Sequence, residues 1–132
     1  MNKDTEFAAR VAWGEARNQG VEGLQAVLNV MVNRTKQRGR PDTIGAVARQ
    51  RFQFSAYNDN DPNKTKLLAV DETNPEFVSA LRLARQASAG DLPDITGGAT
   101  HYHTRQIAAP YWADGATITA RIGDHIFYKD VA

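Results

Sequence analysis

The 132-residue sequence contains no cysteine. Disulfides, thiol nucleophiles and thiolate metal sites are therefore excluded. No apolar run approaches the roughly 20 residues that a membrane span needs, so stable membrane insertion is not expected. Net charge is only +1, too little to argue for nucleic-acid binding on electrostatic grounds. The start, Met1-Asn2-Lys3-Asp4, has no apolar core of the signal-peptide kind. Synthesis in the cytoplasm without a signal peptide is expected, with any action outside requiring another route of release. There is no internal repeat, no low-complexity tail and no His-Glu-x-x-His pair on a helix. The acidic stretch Asn58-Asp59-Asn60-Asp61-Pro62-Asn63 lacks EF-hand ligand spacing and its closing Glu, and reads as a loop. No cofactor or metal is expected. What remains, 42% hydrophobic and 23% charged residues, suits one compact globular domain spanning 1–132.

Hydrophobic spacing organises the first two thirds into helices. Phe7, Ala8, Val11 and Ala12 repeat at helical intervals behind a cap at Asp4 or Thr5. Asn18-Gln19-Gly20 is a stop and turn. A second helix is predicted from about Val21 to Lys36, with Leu24, Val27, Leu28, Met31 and Val32 as a wide stripe, which marks the central buried helix. Gln25, Asn29 and Asn33 recur every four residues on another side, either a solvated face or the lining of a polar groove. Asp42 or Thr43 caps a short helix through Ile44, Val47 and Ala48. Asn74 and Pro75 open another, carrying Phe77, Ala80, Leu81, Ala84 and Ala87 and ending at Gly90. The last third changes character. Ala99 to Thr104 looks extended, and Ala109-Pro110-Tyr111-Trp112 is a loop or turn. Ile118, Ala120 and Ile122 alternate with polar residues, Gly123-Asp124 fits a two-residue hairpin turn, and His125 to Tyr128 returns. Helices followed by a small antiparallel sheet predict an α+β fold.

Glu15 is the residue of greatest chemical interest. It falls four positions after Val11, so it continues the apolar face and points inward. Burial raises a carboxylate's pKa, and an acid still protonated near neutrality can protonate a leaving group. The plain alternative is an ion pair with Arg10 or Arg17. Gln53, Ser55, Tyr57, Tyr102, Tyr111, Trp112 and Tyr128 offer aromatic faces, amides and hydroxyls, which suit a groove for a sugar polymer. His101 and His103, two apart on one strand face, together with His125 could instead hold a catalytic zinc, giving a metal-dependent amidase or peptidase with Glu15 as base. Histidines that orient substrate or satisfy the sheet are the simpler reading.

Taken in order, Ala9 to Arg17 around Trp13-Gly14-Glu15-Ala16, then Gly23 and Ala26 to Arg34, resemble the opening of the SleB-type cell-wall hydrolases. These comprise spore cortex-lytic enzymes and their phage relatives. The resemblance runs on through Pro41-Asp42-Thr43-Ile44, Gln53-Phe54-Ser55, Asp61-Pro62-Asn63, Gly97 to Tyr102 and Ile122 to Tyr128. It implies a lysozyme-like helical body with a small antiparallel sheet and a glycan-binding groove between them. The implied substrate is the glycan strand of peptidoglycan, cut at the β-1,4 link from N-acetylmuramic acid (MurNAc) to N-acetylglucosamine (GlcNAc). The resemblance assigns the catalytic role to Glu15 and groove positions to Gln53, Phe54 and Ser55. His101 and His103 depart from the spore enzymes and look closer to phage-type members. With no signal peptide and no wall-binding repeat, the chain reads as a stand-alone, monomeric phage or prophage endolysin.

Ordinary glycosidases use two carboxyl groups, and only Glu15 is well placed. Asp42, Asp59, Asp61 and Asp124 fit caps or turns. A lytic transglycosylase needs only one acid/base, because the muramoyl C6 hydroxyl is the nucleophile. The alternatives are a hydrolytic muramidase, with Asp59 or Asp61 reaching the groove, and a non-catalytic glycan-binding module.

Overall fold

The computed structural model describes residues 1–50 and 61–132. Among them the helices are α1 (Lys3–Ala16), α2 (Gly20–Thr35), α3 (Ile44–Arg49), α4 (Asn63–Ala69) and α5 (Pro75–Ser88). The strands are β1 (His101–Thr104), β2 (Thr117–Ile122) and β3 (His125–Lys129), with a 3₁₀ turn at Tyr111–Ala113 between β1 and β2. No helix among the described residues is long and apolar enough to cross a membrane.

α2 is the central helix, as its stripe predicts. Leu24, Val27, Leu28, Val30 and Met31 are at most 1% exposed, and α2 packs against α1, α3 and α5. Each large side chain buried in this way contributes roughly 1.5–3 kcal/mol relative to exposure. Phe77, Leu81 and Ala84 of α5 and Val11 and Ala12 of α1 complete the core.

The expected cap of α1 is not the one used. Asn2 caps it, accepting from Thr5 N at 2.7 Å. Asp4 instead reaches across to α3, accepting from Thr43 Oγ1 at 2.9 Å and Gly45 N at 3.1 Å. Gly45 allows this approach, since a Cβ there would lie 2.4 Å from the Asp4 carbonyl oxygen. Thr5 shares a hydrogen bond with Ser88 Oγ at 2.8 Å. Thr43 and Asn74 cap α3 and α5 as predicted. α4 was not predicted; its only buried residue is Leu67, so it carries no hydrophobic period to read.

The amides of α2 form neither a solvated face nor a groove lining. Gln25 Nε2 and Asn29 Nδ2 donate to Pro93 O at 2.8 and 3.0 Å, and Asn29 Oδ1 accepts from Ile95 N at 3.0 Å. Asn33 Nδ2 donates to Ala99 O at 2.8 Å and to Asp94 Oδ2 at 3.1 Å. Burial alone would raise the Asp94 carboxyl, but hydrogen bonds from Thr96, Asn33 and Gly98 outweigh it and hold it below the usual range. One step on, Arg34 Nε donates to Thr100 O at 2.6 Å. The whole segment before β1 is thus fastened along α2.

The sheet order is β1-β3-β2, all antiparallel, with β1 at an edge. A bulge at Thr119 shifts the register between Ile118 and Ala120. The expected single apolar face of Ile118, Ala120 and Ile122 is therefore broken. Ile118 pairs with Tyr128 and is 43% exposed, whereas Ala120 and Ile122 fall on the core side with Phe127.

Candidate active site

Glu15 stands in the last turn of α1, where the helix end meets the edge strand β1. Its neighbours along the helix are held by other partners. Trp13 Nε1 donates to Asn74 Oδ1 at 3.2 Å, and Arg17 Nη2 donates to Asn63 Oδ1 at 2.9 Å while lying over the Trp13 ring. Arg10 donates to the carbonyls of Leu67 and Val70 at 3.0 and 2.7 Å. Both arginines named by the ion-pair reading are thus engaged in fixing the helices, and Oε1 of Glu15 accepts a hydrogen bond from the Tyr102 hydroxyl.

Strand pairing explains which β1 residues reach Glu15. Partners opposite each other share a face. Tyr102, Phe127 and His125 lie on the core side, with Tyr102 centred 4.8 Å from the His125 ring and 5.4 Å from Phe127. Burial, then the Glu15 charge, pushes the Tyr102 phenol well above its usual value, so it stays a proton-bearing donor. His101, His103 and Tyr128 lie on the other face around Trp112. Trp112 is 5.1 Å from His101, 5.9 Å from His103 and 5.2 Å from Tyr128, ring centre to ring centre.

Each histidine has a distinct setting. The Thr104 carbonyl 2.8 Å from His103 Nδ1 can only accept, so that nitrogen carries the proton, and in the neutral ring Nε2 accepts from the Tyr128 hydroxyl at 2.8 Å. Burial, then the charges of Arg34 and Arg40, lowers His101 to about 4. Burial also lowers His125, opposed by Asp124. The zinc arrangement is not met: His125 faces away from His101 and His103, and no group of three or more metal-binding side chains converges among the described residues.

A cleft of about 860 Å³ follows β1. Glu15, His101, Tyr102, His103, Tyr111 and Trp112 line it, with Arg34 and Ile107. Tyr111 is 92% exposed at its rim. Tyr128, expected as a groove residue, is 5% exposed and does not line the cleft; it supports His103 and Trp112 from behind. Gln53, Phe54, Ser55 and Tyr57 lie outside the described residues, as does Asp59. A smaller lobe of about 320 Å³ adjoins the cleft. It shares Gly14, Glu15, Asn63, Thr104 and His125 with the cleft and adds Arg17, Asn18, Gln19, Gln106 and Asp124. Glu15 therefore sits at the waist of a two-lobed groove.

Sequence reasoning missed the second lobe and Arg34. Arg34 is 3% exposed, and burial lowers it to about 10, which leaves it cationic at neutral pH. In sequence it reads as a cation satisfying a helix C-terminus. Of the other described aspartates near the groove, Asp61 Oδ1 accepts from Asn63 N at 2.8 Å and Asp124 binds Gln19 and Arg105, whereas Asp114 is exposed just past Trp112 and lines the cleft.

A family model described as Cell Wall Hydrolase matches residues 18–128. The chain belongs to the Cell Wall Hydrolase family. Glu15 lies just ahead of the span matched by the Cell Wall Hydrolase model, but longer alignments include it. The spore cortex-lytic enzyme of Halalkalibacterium halodurans is 32% identical over 126 residues, which is 96% of this chain and 34% of that protein. The spore cortex-lytic enzyme of Bacillus subtilis is 27% identical over 130 residues, 96% of this chain and 37% of that protein. This chain thus spans little more than a third of either relative. In three dimensions it is similar to the catalytic domain of the Bacillus cereus SleB protein, with TM-score 0.74 and 26% identity over 96% of this chain and 89% of that one. The catalytic domain of the germination-specific lytic transglycosylase SleB from Bacillus anthracis gives TM-score 0.75 and 25% identity, covering 98% and 96% of the two chains. The α+β architecture is therefore that of the SleB catalytic domains.

Proposed function

We propose that this Cell Wall Hydrolase chain cuts the MurNAc-β-1,4-GlcNAc bond of peptidoglycan as a lytic transglycosylase, with Glu15 as the single acid/base. The observation that carries the reading is the place of Glu15: at the waist between two lobes, oriented by the Tyr102 hydroxyl. The relatives named as spore cortex-lytic enzymes, and the neighbour named as a lytic transglycosylase, support the reaction class.

The reaction needs one carboxyl group in two states. Glu15 in its acid form gives its proton to the bridging oxygen as the bond from the muramoyl C1 to that oxygen breaks. The muramoyl C6 hydroxyl then attacks C1, and its proton passes to the Glu15 carboxylate. The products are a 1,6-anhydromuramoyl end and a free GlcNAc hydroxyl, and no water is consumed. Tyr102 remains a donor throughout and fixes the carboxyl's orientation. His101, His103, Tyr111 and Trp112 offer rings to the sugar's C–H faces; Gln53, Phe54 and Ser55 are proposed as further groove residues from the family resemblance, and Tyr57 as another for its aromatic ring.

Both lobes are built within one chain, so the acting form is proposed to be a monomer. The likeness of the His101-Tyr102-His103 segment to phage-type members supports an endolysin role, with the enzyme made in the cytoplasm and released onto the cell wall.

Glu15→Gln removes the transferable proton at nearly constant shape. Its lytic rate in a zymogram is expected to fall by about 10²–10⁴-fold with the circular dichroism spectrum unchanged. Fragments from the unmodified protein should be lighter by one water than hydrolysed ones. Normal reducing ends would instead identify a hydrolytic muramidase, and newly freed amino groups an amidase. Undiminished lysis by Glu15→Gln would remove Glu15 from the chemistry, and wall binding without any lysis by the unmodified protein would leave only a non-catalytic glycan binder.

A further inference from the structure

The two lobes differ in size and chemistry, and the difference orients the substrate. We infer that the large aromatic lobe holds the muramoyl side of the scissile bond and that the small polar lobe seats the departing GlcNAc. This rests on the transglycosylase reading above.

Volume is the first argument. Every MurNAc carries a lactyl group, commonly extended by a peptide stem, whereas GlcNAc carries only hydroxyls and an acetamido group. A sugar with an arm needs the space of about 860 Å³, while a sugar without one fits a lobe of about 320 Å³. Chemistry is the second. Intramolecular attack succeeds only if water is kept from the muramoyl C1. Trp112, Tyr102 and the His101 ring, held neutral around pH 7, place ring faces on that side, beside the polar Arg34, Asn63 and Asp114. The leaving sugar has the opposite requirement: it must be recognised by hydrogen bonds and then depart. The small lobe answers this with the exposed amides of Asn18 and Gln106, while Gln19 and Arg17 are held by Asp124 and Asn63.

The assignment can be read by deleting the leaving sugar from the substrate. In a methylumbelliferyl β-glycoside of the GlcNAc-MurNAc disaccharide, a flat aryl group replaces the departing GlcNAc. The same C6 attack then releases the fluorophore. Asn18→Ala and Gln106→Ala alter exposed residues of the small lobe. Each is expected to lower turnover of the glycan polymer about tenfold more than it lowers aryl release, the effect of a lost sugar hydrogen bond. Tyr111→Ala, at the rim of the large lobe, should depress both substrates alike. The reverse pattern, with Tyr111→Ala acting on the polymer alone and the small-lobe changes on both, overturns the assignment. So does a wild-type enzyme that forms anhydro ends on the polymer yet releases no fluorophore. If the wild type forms no anhydro ends at all, the transglycosylase reading itself fails.

Discussion

Tyr102 serves the site in two separable ways. Its ring packs against His125 and Phe127, and its hydroxyl holds Glu15. Tyr102→Phe keeps the first and deletes the second. The expected result is a fall in kcat of roughly tenfold to a hundredfold with KM nearly unchanged, because the lost group touches the acid rather than the sugar. Global stability should change by no more than about 1 kcal/mol. Steady-state kinetics on soluble glycan chains and a urea melt check the two halves; a raised KM with intact kcat would place the hydroxyl on substrate instead. At this scale the sequence was partly legible. Glu15 could be aimed inward from helical spacing, and the aromatic run around Tyr102 could be seen. Its partner could not, because the pairing crosses 87 positions and depends on which strand face turns toward α1. His101 and His103 share a face as their spacing requires, but His125 is on the other, and only the observed register reveals it.

At the scale of elements, α2 has two stripes with different tasks. The apolar one builds the core and is plain in the sequence, since period and burial coincide. The amide stripe grips residues 93–99, more than 60 positions away, and no local pattern announces the segment it holds. Asn29 is the centre of that grip: it is 2% exposed and uses both amide atoms. Asn29→Ala leaves Ile95 N without its acceptor and removes one of the two amides on Pro93 O, and should cost about 1–3 kcal/mol in a urea melt. Gln25→Ala removes one exposed bond to the same carbonyl, and should change stability by less than about 0.5 kcal/mol. Equal losses would mean that the grip is not concentrated at the buried amide. Two other features escaped prediction for related reasons. α4 buries one side chain, too few to form a period. The bulge at Thr119 changes sheet register without changing composition, so an alternating sequence is read correctly as a strand and wrongly as a single face.

Over the whole molecule, the groove exists because a helical body and a sheet are held together at points flanking Glu15. On one flank Arg34 anchors the start of β1 through Thr100. On the other, Gln19 joins the turn after α1 to the β2–β3 hairpin. Gln19 Oε1 accepts from Asp124 N at 2.8 Å and Nε2 donates to Asp124 Oδ2 at 3.2 Å. The hydrogen bond from Gln19, reinforced by the Arg105 charge, holds the Asp124 carboxyl below the usual range. Gly123 makes the contact possible twice over, since its φ of 56° suits glycine and a Cβ would lie 2.3 Å from Gln19 Oε1. Gly123→Ala should therefore cost both backbone strain, roughly 1–2 kcal/mol, and the displaced latch. Gln19→Ala alone loses the latch but opens the space. If the two residues act through one contact, the double variant must lose less stability than the sum of the singles, by about 0.5 kcal/mol or more. Thermal melts of the four proteins measure that coupling. Strict additivity would show that Gly123 is required by the hairpin alone and that the helical body and the sheet are joined without it.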